Sequence, residues 1–243
     1  MWCLFEVFYT GRHTGSLPIR GEASTKAMLH EDRFLLLLQH RRLSRDQHFA
    51  KPAFETETTE FRSCEVAGAA AAAGLSLADV AAEAKCASEV MGTMGVALSV
   101  CTLPGQVTSD RLGPEKMEVG VGIRGEPGAA VVDLQQVNAI ITRVLNQILS
   151  TETGYVPITR GDRVVLMVNG LGATPVMEIM IAAGKAVPKL QLEHGLAVDR
   201  VYTGSFMTSL DMAGFSITIM KSDKSILQRL DAVTKAPNWA CCC

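Results

Sequence analysis

The stretch Met117–Gly128, MEVGVGIRGEPG, holds the residue types and spacing best suited to chemistry in this 243-residue chain. An alternating apolar strand runs into a turn that carries Gly120, Gly122, Gly125, Pro127 and Gly128, with one long cationic side chain, Arg124, at its centre. Glycines this dense stand where a backbone must approach a ligand closely or take φ > 0. Gly120, Gly122 and Gly125 also match the letters G-x-G-x-x-G, and a strand precedes them. In a dinucleotide site, however, the third glycine lies in the opening turn of a helix whose N-terminus holds the pyrophosphate. Here Glu126, Pro127 and Gly128 follow, and the next helix is expected only from Asp133, so the dinucleotide reading is set aside. No phosphate loop of the G-x-x-x-x-G-K-[ST] type, G-x-S-x-G elbow or H-E-x-x-H pair occurs in the chain.

The remaining chemically capable residues have structural readings. His194 precedes Gly195 at a helix end, where a histidine meets the last carbonyls and the negative end of the dipole or is simply exposed. Asp211, in TSLDMAGF, reads either as a catalytic carboxylate or, as is more common for such a residue, as a loop carboxylate that accepts backbone N–H bonds. Met177, Met180, Met207, Met212 and Met220 read as core filler.

The elements that position these residues begin near Cys64, where the composition changes. Residues 1–63 show no sustained period and hold four of the five histidines in no metal-ligand spacing. They read as an irregular segment, or one foreign to the fold. Beyond them, Val66–Ala73 is an alanine-rich helix stopped by Gly74, and Ser76 to Asp79 open a second helix in capping-box style that should reach about Met91. Gly95–Leu103 and Met117–Ile123 read as strands. Asp133 is expected to cap a helix running to Ile148, with Val137, Ile140, Ile141, Val144, Leu145 and Ile148 as its apolar stripe. Arg163–Val168 reads as a strand buried on both faces, followed by the turn Asn169–Gly172. A helix with Thr174 as cap and Pro175 at its first position should then run, weakened by Gly184 and Pro188, to His194. Leu196–Thr203 and Phe215–Lys221 complete the strands, and Ser225–Asp231 forms a last short helix. Strands alternating with helices imply an α/β layered fold with a largely buried sheet.

Composition narrows the partners. At 48% apolar residues and net charge −2, the chain reads as one compact domain, or one domain plus an appendage. It lacks the basic excess of a nucleic-acid surface. A small molecule or another protein is the expected partner. The seven cysteines, at 3, 64, 86, 101 and 241–243, are odd in number and form no framework, which fits a reducing compartment. Ala240 stands fourth from the end, so the terminal cysteines do not make a C-a-a-X prenylation signal. The start MWCLFEVF has Glu6 within it and no basic region before it, unlike a secretory signal. Phe34–Leu38 is too short to span a bilayer. Arginines and serines between Gly11 and Arg45 suit an organelle transit peptide, but Glu22, Glu31 and Asp32 oppose one. The expectation is a cytoplasmic protein with no membrane partner.

Five blocks then combine: GTMGVALSVCTLPG (92–105), MEVGVGIRGEPG (117–128), GDRVVLMVNGLGATPVME (161–178), VYTGSFMTSLDMAGFSIT (201–218) and KAPNW (235–239). In this order they resemble the second half of the substrate-binding (DhaK) domain of the dihydroxyacetone (glycerone) kinases, most like the eukaryotic single-chain type. The resemblance implies that residues 64–239 are the C-terminal lobe of a two-lobed α/β domain, with 1–63 outside it and 240–243 a cysteine-rich tail. It implies a family reaction, the ATP-dependent phosphorylation of dihydroxyacetone to dihydroxyacetone phosphate, in which a histidine of a GIHGEPG turn adds to the substrate carbonyl as a hemiaminal. Arg124 occupies that histidine's position, so no catalytic residue is retained; Gly122, Gly125 and Glu126 remain as implied substrate contacts.

The family's N-terminal lobe, with its GGGSGHEP-like stretch, and its ATP-binding domain with two Mg²⁺ ions have no counterpart in these 243 residues. ATP and Mg²⁺ are therefore implied for the full-length family enzyme and not for this chain, which is expected to be inactive alone. The implied partners are dihydroxyacetone or a similar small ketose or aldehyde in intact relatives, and a second copy or an intact kinase subunit. The alternative is a non-catalytic DhaK-like binding or regulatory protein that pairs with an intact homologue. A half-domain is also expected to leave apolar sheet surface uncovered.

Overall fold

The computed structural model describes residues 65–102, 104–105, 107, 109–121 and 128–234. Residues 65–72 form helix α1, which ends as the sequence requires. Gly74 takes φ 82, its N–H reaches Ala71 O at 3.1 Å, and the Leu75 N–H reaches Ala70 O at 3.3 Å. This crossed pair is the Schellman closure that glycine permits. Helix α2, Leu77–Glu89, starts at Ser76, whose Oγ accepts from the Asp79 N–H at 3.3 Å and donates to Asp79 Oδ2 at 2.6 Å.

Six strands follow the order of the chain: β1 Met91–Ala97, β2 Lys116–Val119, β3 Ala130–Asp133, β4 Arg163–Gly170, β5 Ala197–Gly204 and β6 Gly214–Lys221. Helix α3, Val137–Ile148, lies between β3 and β4; α4, Val176–Leu192, between β4 and β5; and α5, Lys224–Leu230, follows β6. The sheet order is β3-β2-β1-β6-β4-β5, antiparallel throughout except for the parallel pair β4 and β5.

Helices cover both faces, which is why the central strands are apolar in successive residues. Val164, Leu166 and Val168 of β4 pack with Ile217 and Ile219 of β6 and with Ile141, Leu145 and Ile148 of α3 and Ile179 and Leu190 of α4. Val165 and Met167 turn to the opposite side, with Met91, Met220, Val66 of α1, Ala87 of α2 and Leu230 of α5. The apolar stripe expected on α3 is buried, with Val137 at its margin. Exposed apolar side chains lie on the outer face of α4 (Val176, Met177, Met180, Ile181) and on the edge strands (Val131, Val201), not over the central strands. Apolar residues of the edge strands are thus exposed while the central strands are covered.

Several boundaries differ from the sequence reading. Helix α2 stops at Glu89, and Met91 already belongs to β1, which ends at Ala97 instead of running to Leu103. Gly92 and Gly95 disguise this strand, yet packing demands Gly92: a Cβ there would lie 2.5 Å from Val156 Cγ2 and 2.8 Å from Tyr155 Cε1. The Tyr155 hydroxyl takes the place of a neighbouring strand, accepting from the Thr93 N–H at 2.7 Å and donating to Thr93 O at 3.1 Å. Asp133 does not cap α3. It ends the unexpected strand β3, where its carboxylate pairs with Lys116, and α3 starts after Gln136 without a side-chain cap. Asn169 and Gly170 belong to β4 and not to the turn after it. Thr174 does not cap α4 because its hydroxyl is engaged by Gly214, accepting from the N–H at 2.7 Å and donating to the carbonyl at 2.6 Å. Pro188 lies within α4 without ending it, and Gly195 closes the helix region at φ 66.

Candidate functional site

The pleat places five buried polar side chains on one face of the sheet: Glu118 of β2, Thr93 of β1, Ser216 and Thr218 of β6, and Asn169 of β4. The pairs Ala97 with Glu118, Thr93 with Thr218, and Ser216 with both Gly95 and Asn169 fix that common side. Buried polar groups are costly unless hydrogen-bonded. Here the two threonine hydroxyls bond each other at 2.8 Å, and Asn169 Nδ2 donates to Ser216 Oγ at 3.2 Å. The helices α1, α2 and α5 meet the sheet over its apolar residues on this side; the polar residues continue toward the loops that leave β1, β4 and β5.

Those loops are cross-tied at one end of the sheet. Asn169 Oδ1 accepts from the Phe206 and Met207 N–H groups at 2.8 and 3.0 Å, and Nδ2 donates to Met207 O at 2.7 Å. Leu98 N–H reaches Ala213 O at 2.7 Å, and Ser99 Oγ accepts from the Ala213 N–H at 2.8 Å. Asp211 Oδ1 accepts from the Thr102 N–H at 2.8 Å. That bond, reinforced by the Thr102 hydroxyl and the Cys101 thiol, holds the Asp211 carboxyl below its ordinary range. Asp211 is thus the loop carboxylate expected from sequence. Ser209 gives its N–H to Leu171 O at 2.8 Å, while its buried hydroxyl has no partner.

The glycine turn is held at both feet. At the incoming foot Gly120 takes φ 76 and its N–H reaches Gly95 O at 2.7 Å, which lifts Val121 onto Ala97, Leu171 and Met212. Gly95 is needed beneath it, because a Cβ there would lie 3.0 Å from Val121 O. At the outgoing foot the Gly128 N–H donates to Glu118 Oε1 at 2.6 Å, and Glu118 also pairs with Arg111. A Cβ on Gly128 would lie 2.7 Å from Val119 O and 2.8 Å from Glu118 Cγ. Arg124, Gly122, Gly125 and Glu126 lie outside the described residues.

His194 ends α4 through its main chain, its N–H reaching Lys189 O at 3.1 Å. Its imidazole is half-buried, and burial lowers its pKa below 6.5 more than nearby Glu193 raises it. Met212 and Met220 are core residues and Met207 packs at its margin, as expected. Met177 and Met180 are exposed instead, because α4 turns Ile179, Ala182, Ala183, Ala186 and Leu190 to the sheet. Cys86 and Cys101 are free thiols. Among the described residues no group of three or more His, Cys, Asp or Glu side chains could hold a metal ion. No helix among them is long and apolar enough to cross a membrane. Sequence reasoning passed over Glu118, Arg111, Thr93, Asn169, Ser216 and Thr218. The available signal was the alternation of Ser216 and Thr218 with Ile217 and Ile219, and one acidic residue between Met117 and Val119.

A mixed sheet between helix layers, with the two ends of a glycine-rich segment anchored to a polar sheet face, defines an α/β lobe. The chain belongs to the Dak1 domain family, whose model matches residues 58–238. It is 79% identical over 175 residues to the "Putative 3,4-dihydroxy-2-butanone kinase" of Solanum lycopersicum, an overlap covering 72% of this chain and 30% of that protein. The chain therefore spans under a third of that relative's length. Among solved structures it is similar to the "Dihydroxyacetone kinase operon co-activator Dha-DhaQ", with TM-score 0.67 and 32% identity over 74% of this chain and 55% of that one. It is also similar to the dihydroxyacetone kinase from C. freundii in complex with AMP-PNP and Mg²⁺, with TM-score 0.65 and 32% identity over 74% of this chain and 32% of that one.

Proposed function

We propose that residues 64–239 are part of the substrate-binding lobe of a dihydroxyacetone (glycerone) kinase, and that this chain with Arg124 does not itself phosphorylate the substrate. The observation that carries the reading is the turn: both feet are fixed to the sheet, and the residue at the family's anchoring position is arginine. A neutral imidazole has a lone pair that adds to a ketone carbonyl. A guanidinium is protonated at working pH and has none. Arg124 has hydrogen bonds to offer a substrate oxygen or a phosphate, but no covalent anchor. Gly122, Gly125 and Glu126 are the proposed substrate contacts. Phosphoryl transfer depends on holding acceptor, metal and nucleotide in line.

The test is to incubate the purified 1–243 chain with dihydroxyacetone labelled with ¹³C at its carbonyl, with and without Mg·ATP. The expected result is no phosphate ester and no sp³ hemiaminal carbon, with the hemiaminal appearing in Arg124→His. Turnover by the unaltered chain overturns the reading. A second reading, a non-catalytic protein that pairs with an intact homologue, draws support from the likeness to a co-activator and from the exposed apolar side chains of α4. Absence of both self-association and retention of a kinase subunit in a pull-down would count against it. Either reading goes with a cytosolic protein.

A further inference from the structure

We propose that α4 and β5 together form an interface for a second copy of this chain, on a two-fold axis that runs through Val201 and beside Gly184. Such pairing goes beyond the substrate-binding reading and uses no residue of the glycine turn. Gly184 stands inside the 17-residue helix α4, where glycine is less stable than alanine. A Cβ there would meet nothing within 4 Å, so packing within the chain does not call for it. The helix around it is apolar on one flank: Val176, Met180, Gly184, Val187 and Gln191 recur at the spacing of one face, with Met177 and Pro188 beside them. Glu178, Lys185 and Lys189 recur on the other flank. Val176, Met177, Met180 and Ile181 are exposed.

The Thr203 hydroxyl donates to Met180 Sδ at 3.1 Å, which sets the apolar flank over β5. Among the described residues β5 ends the sheet and pairs only with β4. Val201 and Thr203 pair with Leu166 and Val168 and so face α4, whereas Arg200 and Tyr202 pair with Val165 and Met167 and face the other side. Edge strands that stay single present charge or proline outward. Here the charges are engaged within the chain, Asp199 with Arg163 and Ser222 and Arg200 with Asp231, and Val201 is exposed.

A two-fold normal to the sheet keeps each face with its like, so it crosses β5 at a residue and pairs the residues on either side. On Arg200 it would oppose two like charges, and on Tyr202 it would set the cation against Gly204. On Val201 it sets valine against valine beneath α4 and each Arg200 against the Tyr202 ring of the copy, which suits a cation. The helix reaches the same axis by its own measure. From Thr203 back to Val201 is about 6.6 Å of strand, and α4, which runs opposite to β5 as a crossover between parallel strands must, covers that distance from Met180 in about four residues. It arrives at Gly184, whose missing side chain lets α4 and its copy approach closely, with Met180 against Pro188 on either side. The stripe on a helix about 25 Å long and the edge of an eight-residue strand each give roughly 300 Å², so only the two together approach the ~800 Å² per partner of a stable complex. A lone peptide offers a strand or a helix. A copy of this face offers both at the spacing required, which is the self-complementarity of a two-fold interface.

The test is sedimentation equilibrium of the full 1–243 chain across the micromolar range, in reductant so that the terminal cysteines link no copies, read beside deuterium exchange of the α4 and β5 peptides. The expected result is a dimer that grows with concentration and slows exchange in both elements together. Gly184→Gln fills space that is empty in the single chain and suits a helix better, so it should weaken the dimer by about tenfold or more while the melting temperature of the dilute chain stays or rises. Val201→Lys should weaken the dimer by a similar factor, and Lys185→Gln on the other flank should leave it unchanged. A chain that is monomeric throughout overturns the proposal, as does a dimer that neither Gly184→Gln nor Val201→Lys weakens. A monomer that instead holds an intact kinase subunit through this face also overturns it, in favour of pairing with a homologue. If Val201→Lys does not fold, Gly184→Gln decides. Mass and the ¹³C adduct are read separately, so this pairing and the kinase reading can each fail without the other.

Discussion

Among the described residues, removing the Asn169 side chain should loosen the loop-bearing end of the sheet more than any other single loss of an uncharged polar group. Asn169 is fully buried at the end of β4 and makes four hydrogen bonds: two accepted from main-chain N–H groups, one donated to Met207 O and one to Ser216 Oγ. The two N–H partners identify the oxygen end of the amide, so its orientation is not arbitrary. Each buried group left without a partner costs about 1–3 kcal/mol. Phe206 and Met207 are half-buried and can rehydrate in part, so Asn169→Ala is expected to cost about 2–4 kcal/mol, short of the full sum for four bonds.

The assay is equilibrium urea unfolding, paired with amide exchange at Phe206 and Met207, which should lose protection first. Asn169→Asp sharpens the test. It keeps the acceptor but sets a second oxygen against Met207 O, so at neutral pH it should also be destabilised. Its buried carboxyl binds a proton more readily in the folded state, and the protonated form donates again, so the penalty should shrink as the solution is acidified. A cost below about 1 kcal/mol for Asn169→Ala, or a fully stable Asn169→Asp at neutral pH, would refute this account of how the loop is held.

Gly214→Ala should cost more than about 3 kcal/mol or abolish soluble expression, because Gly214 has φ 146 and its Cβ would stand 2.1 Å from Val96 O; an unchanged melting temperature would contradict the register between β1 and β6. Ser209→Ala should be neutral or stabilising by up to about 1 kcal/mol, since the hydroxyl it removes is buried without a partner, and a clear loss of stability on melting would mean that the hydroxyl is used. The carboxyls of Asp162, Asp199 and Asp211 titrate below 3.8 in the folded chain. For Asp162 the main cause is Lys221. For Asp199 burial pushes upward but is outweighed by Ser222, Arg163 and Arg200. The unfolded chain therefore binds the extra protons, and this stabilisation is complete above 3.8 and lost as pH falls through the lower folded values, which acid titration followed by circular dichroism would show flattened in Asp199→Asn. His194 works in the same direction in a higher window: below 6.5 its half-buried ring resists protonation, so the slope of stability against pH there should diminish in His194→Gln.

What could be read from sequence divides by the kind of signal. The apolar run of β4 and the 3.6-residue stripe of α3 were visible because burial on a whole face leaves a period in the chain. β1 began four residues earlier than expected because Gly92 and Gly95 look like turn residues until Tyr155 and Val121 are seen lying against them. β3 was missed because four residues at a sheet edge carry almost no period, and Asp133 within it resembles a helix cap. Thr174 had the right type and place for a cap, but Gly214, 40 residues away, took its hydroxyl. The polar face was the least visible. Its members come from four strands, and only the strand order brings Glu118, Thr93, Ser216 and Asn169 to one side.

The described residues on either side of the glycine turn are anchored to the sheet in different ways. The incoming foot depends on Gly95 and Gly120 and on Val121 packing against Ala97, Leu171 and Met212; the outgoing foot depends on Val119, Glu118 and Gly128. Shared fold alone says little about shared activity. On the proposed substrate-binding reading, Arg124→His is expected to change unfolding stability by no more than about 0.5 kcal/mol while giving a ketone adduct that the unaltered chain does not form. A larger change would mean that Arg124 bears part of the structure, and its role would then have to be sought in what the guanidinium contacts.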